Sequence, residues 1–311
     1  MGAEKYSDRQ FYADVVEGIR SGHSYYEVIG HLQRAHEYPL RPFFAVRPPT
    51  MAYFAAYLGT GTIYYIALGL LAACALAWYV ALEKTPFVQR FIAVLLLIPM
   101  AAFVPDPPAI VVHEIWCGLL MCLAFAVHRP GNATASIVLA GAALMIRELA
   151  LPYVLLALVF AIFGRRKREA WGWVAVIALF ACFMAWHAAQ VAAIPSNGLH
   201  RPWQGLRGPL AMFWDIEHQT FFQFLPAWLS IGTMSLMTLG WLGLEGEKGR
   251  FGFLLMVGYG VLIGAIANEA NELWALLVLP TLGLGLPYGW NLVVRARTAG
   301  LRRMRRVGSV T

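Results

Sequence analysis

The sequence predicts an all-α fold, a polytopic integral membrane helical bundle with about nine spans, preceded by short amphipathic helices. Composition is the first observation behind this class, because 59% of the 311 residues are hydrophobic and only 13% are charged. Soluble domains carry about 25% charged residues. The second observation is that apolar runs, several of them near the roughly 20 residues that a span needs, follow one another along most of the chain. The net charge of +7 therefore indicates basic loops at a membrane surface and no nucleic-acid partner.

The polar residues 1–49 form the first predicted domain, an extracytoplasmic loop that contains amphipathic helices. A first helix is predicted over 9–22 and a second, shorter one over 25–34. The apolar side chains of the first helix recur at fourfold spacing, at Phe11, Val15 and Ile19. Prolines break the remainder of this domain into a loop that ends in Arg47-Pro48-Pro49.

The second predicted domain, 50–294, is the transmembrane helical domain, and the third, 295–311, is a basic cytoplasmic tail. The apolar runs lie at about 50–58, 62–82, 88–104, 110–128, 133–147, 149–164, 171–194, 223–243, 250–268 and 272–294. The first of these runs is too short to cross a bilayer, so we expect a re-entrant segment or a helical lead-in there.

The distribution of basic residues predicts which connections face the cytoplasm. Alternate connections and the tail are basic, at Lys84, Arg90, Arg129, Arg165, Arg166, Lys167, Arg168, Lys248, Arg250 and the six arginines after residue 294. By the positive-inside rule these segments lie in the cytoplasm. The other side then holds the first fifty residues and the outer loop 195–222, which are the only loops long enough to build a site. We expect a bacterial inner (plasma) membrane protein with its active site on the extracytoplasmic face.

A charged pair, Arg147-Glu148, stands between two short apolar runs where the chain has to turn. Charged side chains in a membrane are costly and usually face a cavity or a partner. An arginine that holds a phosphate, oriented by the neighbouring carboxylate, would explain the pair. A capped turn with an arginine that reaches the interface would explain it equally well.

Two further polar groups allow more than one interpretation. His113-Glu114 opens a helix after the Asp106 loop, which fits an acidic helix start or, with Asp106, a metal site of unusual spacing. The outer loop mixes charges and aromatics, at His200, Arg201, Trp203, Arg207, Phe213, Trp214, Asp215, Glu217 and His218. Such a mixture suits a sugar or lipid headgroup, but also an interfacial aromatic belt.

The four cysteines lie in apolar runs without metal-ligand spacing, so we predict no metal residues, although the sequence allows a divalent metal.

Asp8 precedes the first predicted helix and is most simply a helix cap. The order of features nevertheless suggests a second role. An acid followed by FYADVVEGIRSGHSYY, a loop ending in RPP and a Tyr-rich apolar run resembles the first outer loop of the GT-C superfamily of polytopic glycosyltransferases, which use polyprenyl-phosphate sugars. DPPAIVVHEIWCGLLM resembles the next outer loop of that group, and MIRELALPY with GRRKREAW resembles its R-E hairpin and basic inner loop.

The resemblance covers about residues 6–170, with Arg9 where many members carry a second acid. It implies that a first span precedes Lys5, so we expect that span upstream of Met1; the alternative is a segment that lies on the membrane by itself.

The resemblance implies a membrane glycosyltransferase that moves a sugar from a polyprenyl-phosphate-linked donor to an acceptor glycan, lipid or protein. Asp8 would be the general base, and Arg147, with Arg201 or Arg207, would bind the donor phosphate. The residues expected to line the substrate pocket are Tyr12, His113, Glu114, Glu148, Trp203 and His218. A non-enzymatic carrier or flippase of a lipid-linked or anionic solute is the alternative. The partners are thus membrane lipid, the donor and the acceptor.

Overall fold

A computed structural model describes residues 8–100, 112–196, 198, 199, 206–292 and 294, without the side chains of 8, 9, 100, 269 and 270. These residues form α- and 3-10 helices and no β-strand, which confirms the all-α class. Asp106, His200, Arg201 and Trp203, which the sequence analysis singles out, lie outside the described residues. The predicted tail 295–311 lies outside them as well.

The described residues fall into two compact units, one within Met1–Ala77 and Ala101–Gln204, the other within Trp78–Met100 and Gly205–Thr311. The α-helices of the first unit are α1 (Asp8–Arg20), α2 (Tyr25–Ala35), α3 (Thr50–Leu58), most of α4 (Thr60–Ala81), α6 (His113–Val127), α7 (Thr134–Ile146), α8 (Leu151–Phe163) and α9 (Lys167–Ala193). Those of the second unit are α5 (Phe87–Met100), α10 (Ala211–Gln219), α11 (Ala227–Gly240), α12 (Glu247–Ile266) and α13 (Leu279–Leu282).

Three helices are long and apolar enough to cross a membrane, namely α4, α9 and α12. A pair of shorter helices, Asn271–Leu277 and Leu279–Leu292, becomes a fourth candidate if its 43° bend lies within one broken span. Four other apolar helices have only 10–17 residues. The structure therefore supports membrane-spanning helices, but length and composition identify three or four spans among the described residues and not about nine.

The predicted amphipathic helices at the start of the chain are present as α1 and α2. Phe11, Val15 and Ile19 are buried, which confirms the predicted apolar face of α1. Together with Tyr25 and Ile29 of α2 they form a hydrophobic cluster that also takes in the end of α9, through Val191 and Ile194. Residues 8–49 therefore fold onto the helical bundle of their own unit.

Arginines of this N-terminal segment hold the C-terminal ends of two bundle helices. Arg41 donates from Nη1 to Val191 O at 3.0 Å and from Nη2 to Ile194 O at 3.1 Å, at the end of α9. Arg20 donates to Ala55 O and Ala56 O near the end of α3, both at 3.3 Å. A cation at a helix C-terminus satisfies unpaired carbonyls and opposes the negative end of the helix dipole.

The helices of the first unit present two opposite ends. The start of α6, the end of α7 and the end of α9 meet the N-terminal segment. The other end carries a buried carboxylate, Glu169 near the start of α9, which bonds His128 Nε2 at 2.8 Å and Arg166 Nε at 2.7 Å. Glu169 also accepts from the backbone N–H of Gly131 at 3.1 Å. The predicted outer residues and the predicted basic inner loops of this unit thus lie at opposite helix ends.

Candidate functional site

A chain of four charged side chains lies where the first unit meets its N-terminal segment. Arg147 Nε is 3.0 Å from Glu114 Oε1, and Arg147 Nη1 donates to Glu148 Oε1 at 2.8 Å. Arg47 Nη2 lies 3.9 Å from the same Glu114 oxygen. The order is therefore Arg47, Glu114, Arg147, Glu148, with alternating sign, and the site is called the charge chain below.

Burial separates the inner from the outer members of the charge chain. The side chains of Arg147 and Glu114 are 0% and 4% exposed, whereas those of Arg47 and Glu148 are 20% and 23% exposed. Charges in a low-dielectric interior need partners, because removal from water costs several kcal/mol per ion. Arg147 and Glu114, the inner pair, are partners of each other. Each also has an outer partner of opposite sign, which is Glu148 for Arg147 and Arg47 for Glu114.

Backbone geometry places the charge chain at helix ends. Arg147 ends α7 with an extended backbone (φ −148°, ψ 122°), and Glu148 begins a 3-10 turn that leads into α8. Glu114 lies in the first turn of α6. An acid at a helix start and a cation at a helix end are both stabilised by the helix dipole. The break at Arg147-Glu148 that the sequence predicts therefore exists, and both of its charged residues have partners there.

The segment Val46–Thr50, which carries Arg47, is held by three neighbouring elements. His187 Nε2 donates to Val46 O at 3.0 Å, and the Tyr25 hydroxyl donates to Arg47 O at 2.6 Å. Thr50 Oγ1 donates to Met145 O in α7 at 2.6 Å. Two prolines between Arg47 and Thr50 restrict the backbone further. The position of the Arg47 backbone is thus fixed by α2, α7 and α9.

The hydrogen-bond pattern determines the tautomer of His187. A carbonyl oxygen only accepts, so Nε2 carries the proton that it donates to Val46 O. In the neutral ring Nδ1 is then the acceptor, and the Tyr26 hydroxyl donates to it at 2.8 Å. Burial raises the pKa of the Tyr26 hydroxyl, so that it stays protonated and able to donate. This bond ties α2 to α9 beside the charge chain.

Other residues of the predicted pocket are also close to the charge chain. His113, buried at the start of α6, precedes Glu114 and packs against the ring of Tyr12 with a centroid distance of 5.0 Å. Asp8 is the first residue of α1, one helical turn before Tyr12, and its side chain lies outside the described residues. The structure thus brings together Tyr12, His113, Glu114, Arg147 and Glu148, all of which the sequence analysis selects.

The residues predicted from the outer loop behave differently. Arg207 belongs to the second unit, where both of its terminal nitrogens bind Asp215, at 2.6 and 2.9 Å. His218 is exposed and donates from Nδ1 to Trp214 O at 2.7 Å. Residues 211–219 form α10, so this part of the segment 195–222 is helical and not a loop. The guanidinium fork of Arg207 is therefore already engaged by a carboxylate.

The described residues contain no group of three or more His, Cys, Asp or Glu side chains placed to hold a metal ion. The metal set considered from the sequence, His113, Glu114 and Asp106, includes one residue outside the described ranges. Of the two that are described, Glu114 is paired with Arg147.

Sequence reasoning missed the role of Arg47, His187 and Tyr26 at this site. Arg47 served only to mark the end of the polar segment, although an arginine directly before two prolines is a recognisable feature. His187 and Tyr26 come together from distant parts of the chain, so no local pattern reveals their bond. Comparison with protein-family models, with curated proteins and with solved structures finds no match to this chain.

Proposed function

We propose that the chain is a membrane glycosyltransferase of the GT-C type, which moves a sugar from a polyprenyl-phosphate donor to an acceptor on the extracytoplasmic face of a bacterial inner membrane. The observation that carries this proposal is the buried Arg147, held between Glu114 and Glu148 at the helix ends that the N-terminal segment covers. A fixed guanidinium of this kind suits the recognition of a phosphate. Its terminal Nη2 is buried and makes no hydrogen bond with the described protein atoms.

The distribution of buried charge favours a transferase over a carrier. The buried Arg, Asp, Glu and His side chains described in the first unit are His113, Glu114, Arg147, Glu169 and His187. Each lies near the end of a helix; His187, the farthest, is fewer than two turns before the end of α9. A carrier needs polar groups along a path through the membrane, typically near mid-depth. A site at one end of the bundle suits chemistry at the membrane surface.

The proposed reaction is a single displacement. The acceptor hydroxyl oxygen attacks the anomeric carbon of the sugar, the bond from that carbon to the phosphate oxygen breaks, and the lipid phosphate leaves with the electron pair. Asp8 takes the proton of the acceptor hydroxyl as general base. The site around Arg147 binds the phosphate, with Arg201 as a further predicted contact, and stabilises the charge of the leaving group. This mechanism inverts the anomeric configuration.

We also propose the full membrane topology of about nine spans. Each of the nine longer apolar runs of the sequence overlaps a described helix, from α4 at the first to Leu279–Leu292 at the last. In this topology the shorter apolar helices, such as α7 and α8 with 13 residues each, also cross the apolar layer. Charged residues lie at the ends of these helices. The first-unit ends that carry Arg147 and Glu169 would face opposite sides of the membrane.

A reconstituted reaction tests the proposal. The full chain is placed in proteoliposomes with polyprenyl-phosphate-linked hexoses and pentoses, and the release of polyprenyl phosphate is measured by mass spectrometry. We expect release by wild type and its loss in Asp8→Asn and Arg147→Ala, with the exposed-residue variant Glu17→Gln as control. Wild-type rates in both variants would remove these residues from the mechanism. Movement of intact donor between the leaflets without any release would establish the carrier instead.

A further inference from the structure

Two loops of the first unit meet at the helix ends opposite the charge chain. The loop between α6 and α7 contains His128 and Gly131, and the loop between α8 and α9 contains Arg166. Glu169, buried in the first turn of α9, bonds His128 Nε2 at 2.8 Å and Arg166 Nε at 2.7 Å. It also accepts from the backbone N–H of Gly131 at 3.1 Å. One carboxylate therefore binds both loops and holds them side by side.

Exposed cations lie next to these contacts, in both loops and at the start of α9. They define a basic surface, which consists of Arg129, Arg165, Lys167 and Arg168. The sequence supplies little negative charge to offset them. Its acids between residues 115 and 214 are Glu169, which is buried and bonded to both loops, and Glu148, which lies at the opposite helix end. The basic surface is therefore suited to an anionic partner.

Two exposed aromatic side chains favour a lipid as that partner. Phe163 is the last residue of α8 and is 85% exposed, and Trp171, in the second turn of α9, is 71% exposed. Trp is enriched where lipid headgroups meet water, and an exposed Phe adds apolar surface there. Each ring lies within three residues of a cation of the basic surface. A phospholipid gains from the rings and from the charges, whereas a soluble polyanion gains from the charges alone.

The backbone at Arg165 places a cation where glycine is the usual residue. The Arg165 N–H donates to Ile162 O and the Arg166 N–H donates to Ala161 O, both at 2.9 Å, which is the hydrogen-bond pattern of a Schellman motif at the end of α8. Arg165 has the left-handed conformation that this motif requires, with a φ of 54°. A side chain is unfavourable in that conformation, so folding alone would prefer glycine. The exposed arginine at this position fits a role in binding.

We infer that the basic surface binds the phosphate headgroups of acidic phospholipids, in the leaflet that this end of the first unit faces. Guanidinium groups donate to phosphate oxygens in a matching planar geometry, and Lys167 adds a further positive charge. Clusters of basic residues beside a membrane span attract anionic lipids in this way. The inference is independent of the proposed glycosyl transfer, which concerns the opposite helix ends.

Native mass spectrometry of the full chain in detergent measures its affinity for single lipids. The probes are phosphatidylglycerol and phosphatidylcholine with the same acyl chains, and wild type should bind phosphatidylglycerol more tightly. Arg165→Gln should weaken phosphatidylglycerol binding by about fivefold, the loss expected for one basic residue at an anionic lipid surface, and leave phosphatidylcholine unchanged. Arg34→Gln removes an exposed cation of the N-terminal segment and should bind both lipids as wild type does.

Arg165→Gly removes the same charge and relieves the backbone. Its melting temperature should be no lower than that of wild type, and its affinity for phosphatidylglycerol should fall as in Arg165→Gln. A loss of binding in this variant is then not a loss of fold. Wild-type affinity for phosphatidylglycerol in both Arg165 variants, or an equal loss of both lipids, would overturn the inference.

Glycerol 1-phosphate separates a lipid site from a site for a free phosphate compound. We expect it to bind much more weakly than phosphatidylglycerol, and we expect Trp171→Ala to weaken the binding of phosphatidylglycerol, because the exposed ring contributes to lipid contact. Glycerol 1-phosphate that binds as tightly as phosphatidylglycerol would overturn the lipid as the partner. So would phosphatidylglycerol binding that Trp171→Ala leaves unchanged.

Discussion

Replacing Glu114 by Gln removes the one negative charge that lies between two guanidinium groups while it keeps the size and shape of the side chain. Glu114 Oε1 is 3.0 Å from Arg147 and 3.9 Å from Arg47, and both inner side chains are buried. After the substitution Glu148 is the carboxylate partner that Arg147 keeps within the charge chain. The four described side chains of the charge chain then carry a net charge of +1 in a low-dielectric environment.

The expected cost follows from the burial of the pair. Loss of one partner of a buried ion pair typically destabilises a protein by about 3–5 kcal/mol. We take about 3 kcal/mol at the low end of that range, because Glu148 still binds Arg147. With a shift of roughly 2–4 °C per kcal/mol for domains of 150–250 residues, the melting temperature should fall by roughly 6–12 °C.

Thermal unfolding of the purified chain in detergent, followed by tryptophan fluorescence, measures this shift. Glu148→Gln and Glu17→Gln are the matched comparisons, since one removes an outer charge of the same site and the other an exposed charge on α1. The smallest shift is expected for Glu17→Gln and the largest for Glu114→Gln. A Glu114→Gln protein that melts at the wild-type temperature would show that the buried charges are not coupled as described.

Contacts made by the N-terminal segment can be tested by single substitutions. Arg41→Gln should destabilise the chain by about 2 kcal/mol, because the Arg41 guanidinium binds carbonyls at the end of α9. Protease cleavage within residues 8–49 should then become faster. An unchanged cleavage rate would contradict the role of Arg41 in holding the N-terminal segment against α9. Ser24→Ala should lower stability by about 1 kcal/mol through loss of the N-cap of α2, as measured by thermal unfolding. Hydrogen bonds from Ser24 lower the pKa of Glu27, so the stability that this pair contributes is present above the unfolded value of about 4.3 and is lost as pH falls through the lower folded pKa. The stability difference between wild type and Ser24→Ala in acid unfolding should therefore shrink at low pH to the part that the N-cap bond alone contributes, and a constant difference would contradict this linkage.

Local patterns explain which parts of the fold could be predicted. The fourfold spacing of Phe11, Val15 and Ile19 is a property of α1 alone, and these side chains are buried as expected. The break at Arg147-Glu148 was predictable because a charged pair within apolar sequence must find partners. The number of spans was harder to predict. Helices α7 and α8 are apolar but have only 13 residues each, so their length does not establish that they cross the membrane, and the crossing stays a proposal.

The partners within the candidate site could not be read from the sequence, because they are distant along the chain. Arg47 lies in the segment before α3, whereas its partner Glu114 lies in α6. His187 of α9 donates to Val46 O, which is also far away along the chain. Arg207 shows the opposite case. Its partner Asp215 is close in sequence, and the pair could have been recognised had residues 211–219 been predicted as a helix and not as loop.

The proposed reaction breaks the bond between a sugar and a polyprenyl phosphate at the Arg147 site. The most direct measurement is the amount of polyprenyl phosphate that purified full-length protein releases from polyprenyl-phosphate-linked sugars in proteoliposomes, for wild type and for Arg147→Ala. We expect release by wild type, with the sugar recovered on an acceptor, and little or none by the variant. No release by folded wild-type protein from any of the donors, or equal release by both proteins, would contradict it.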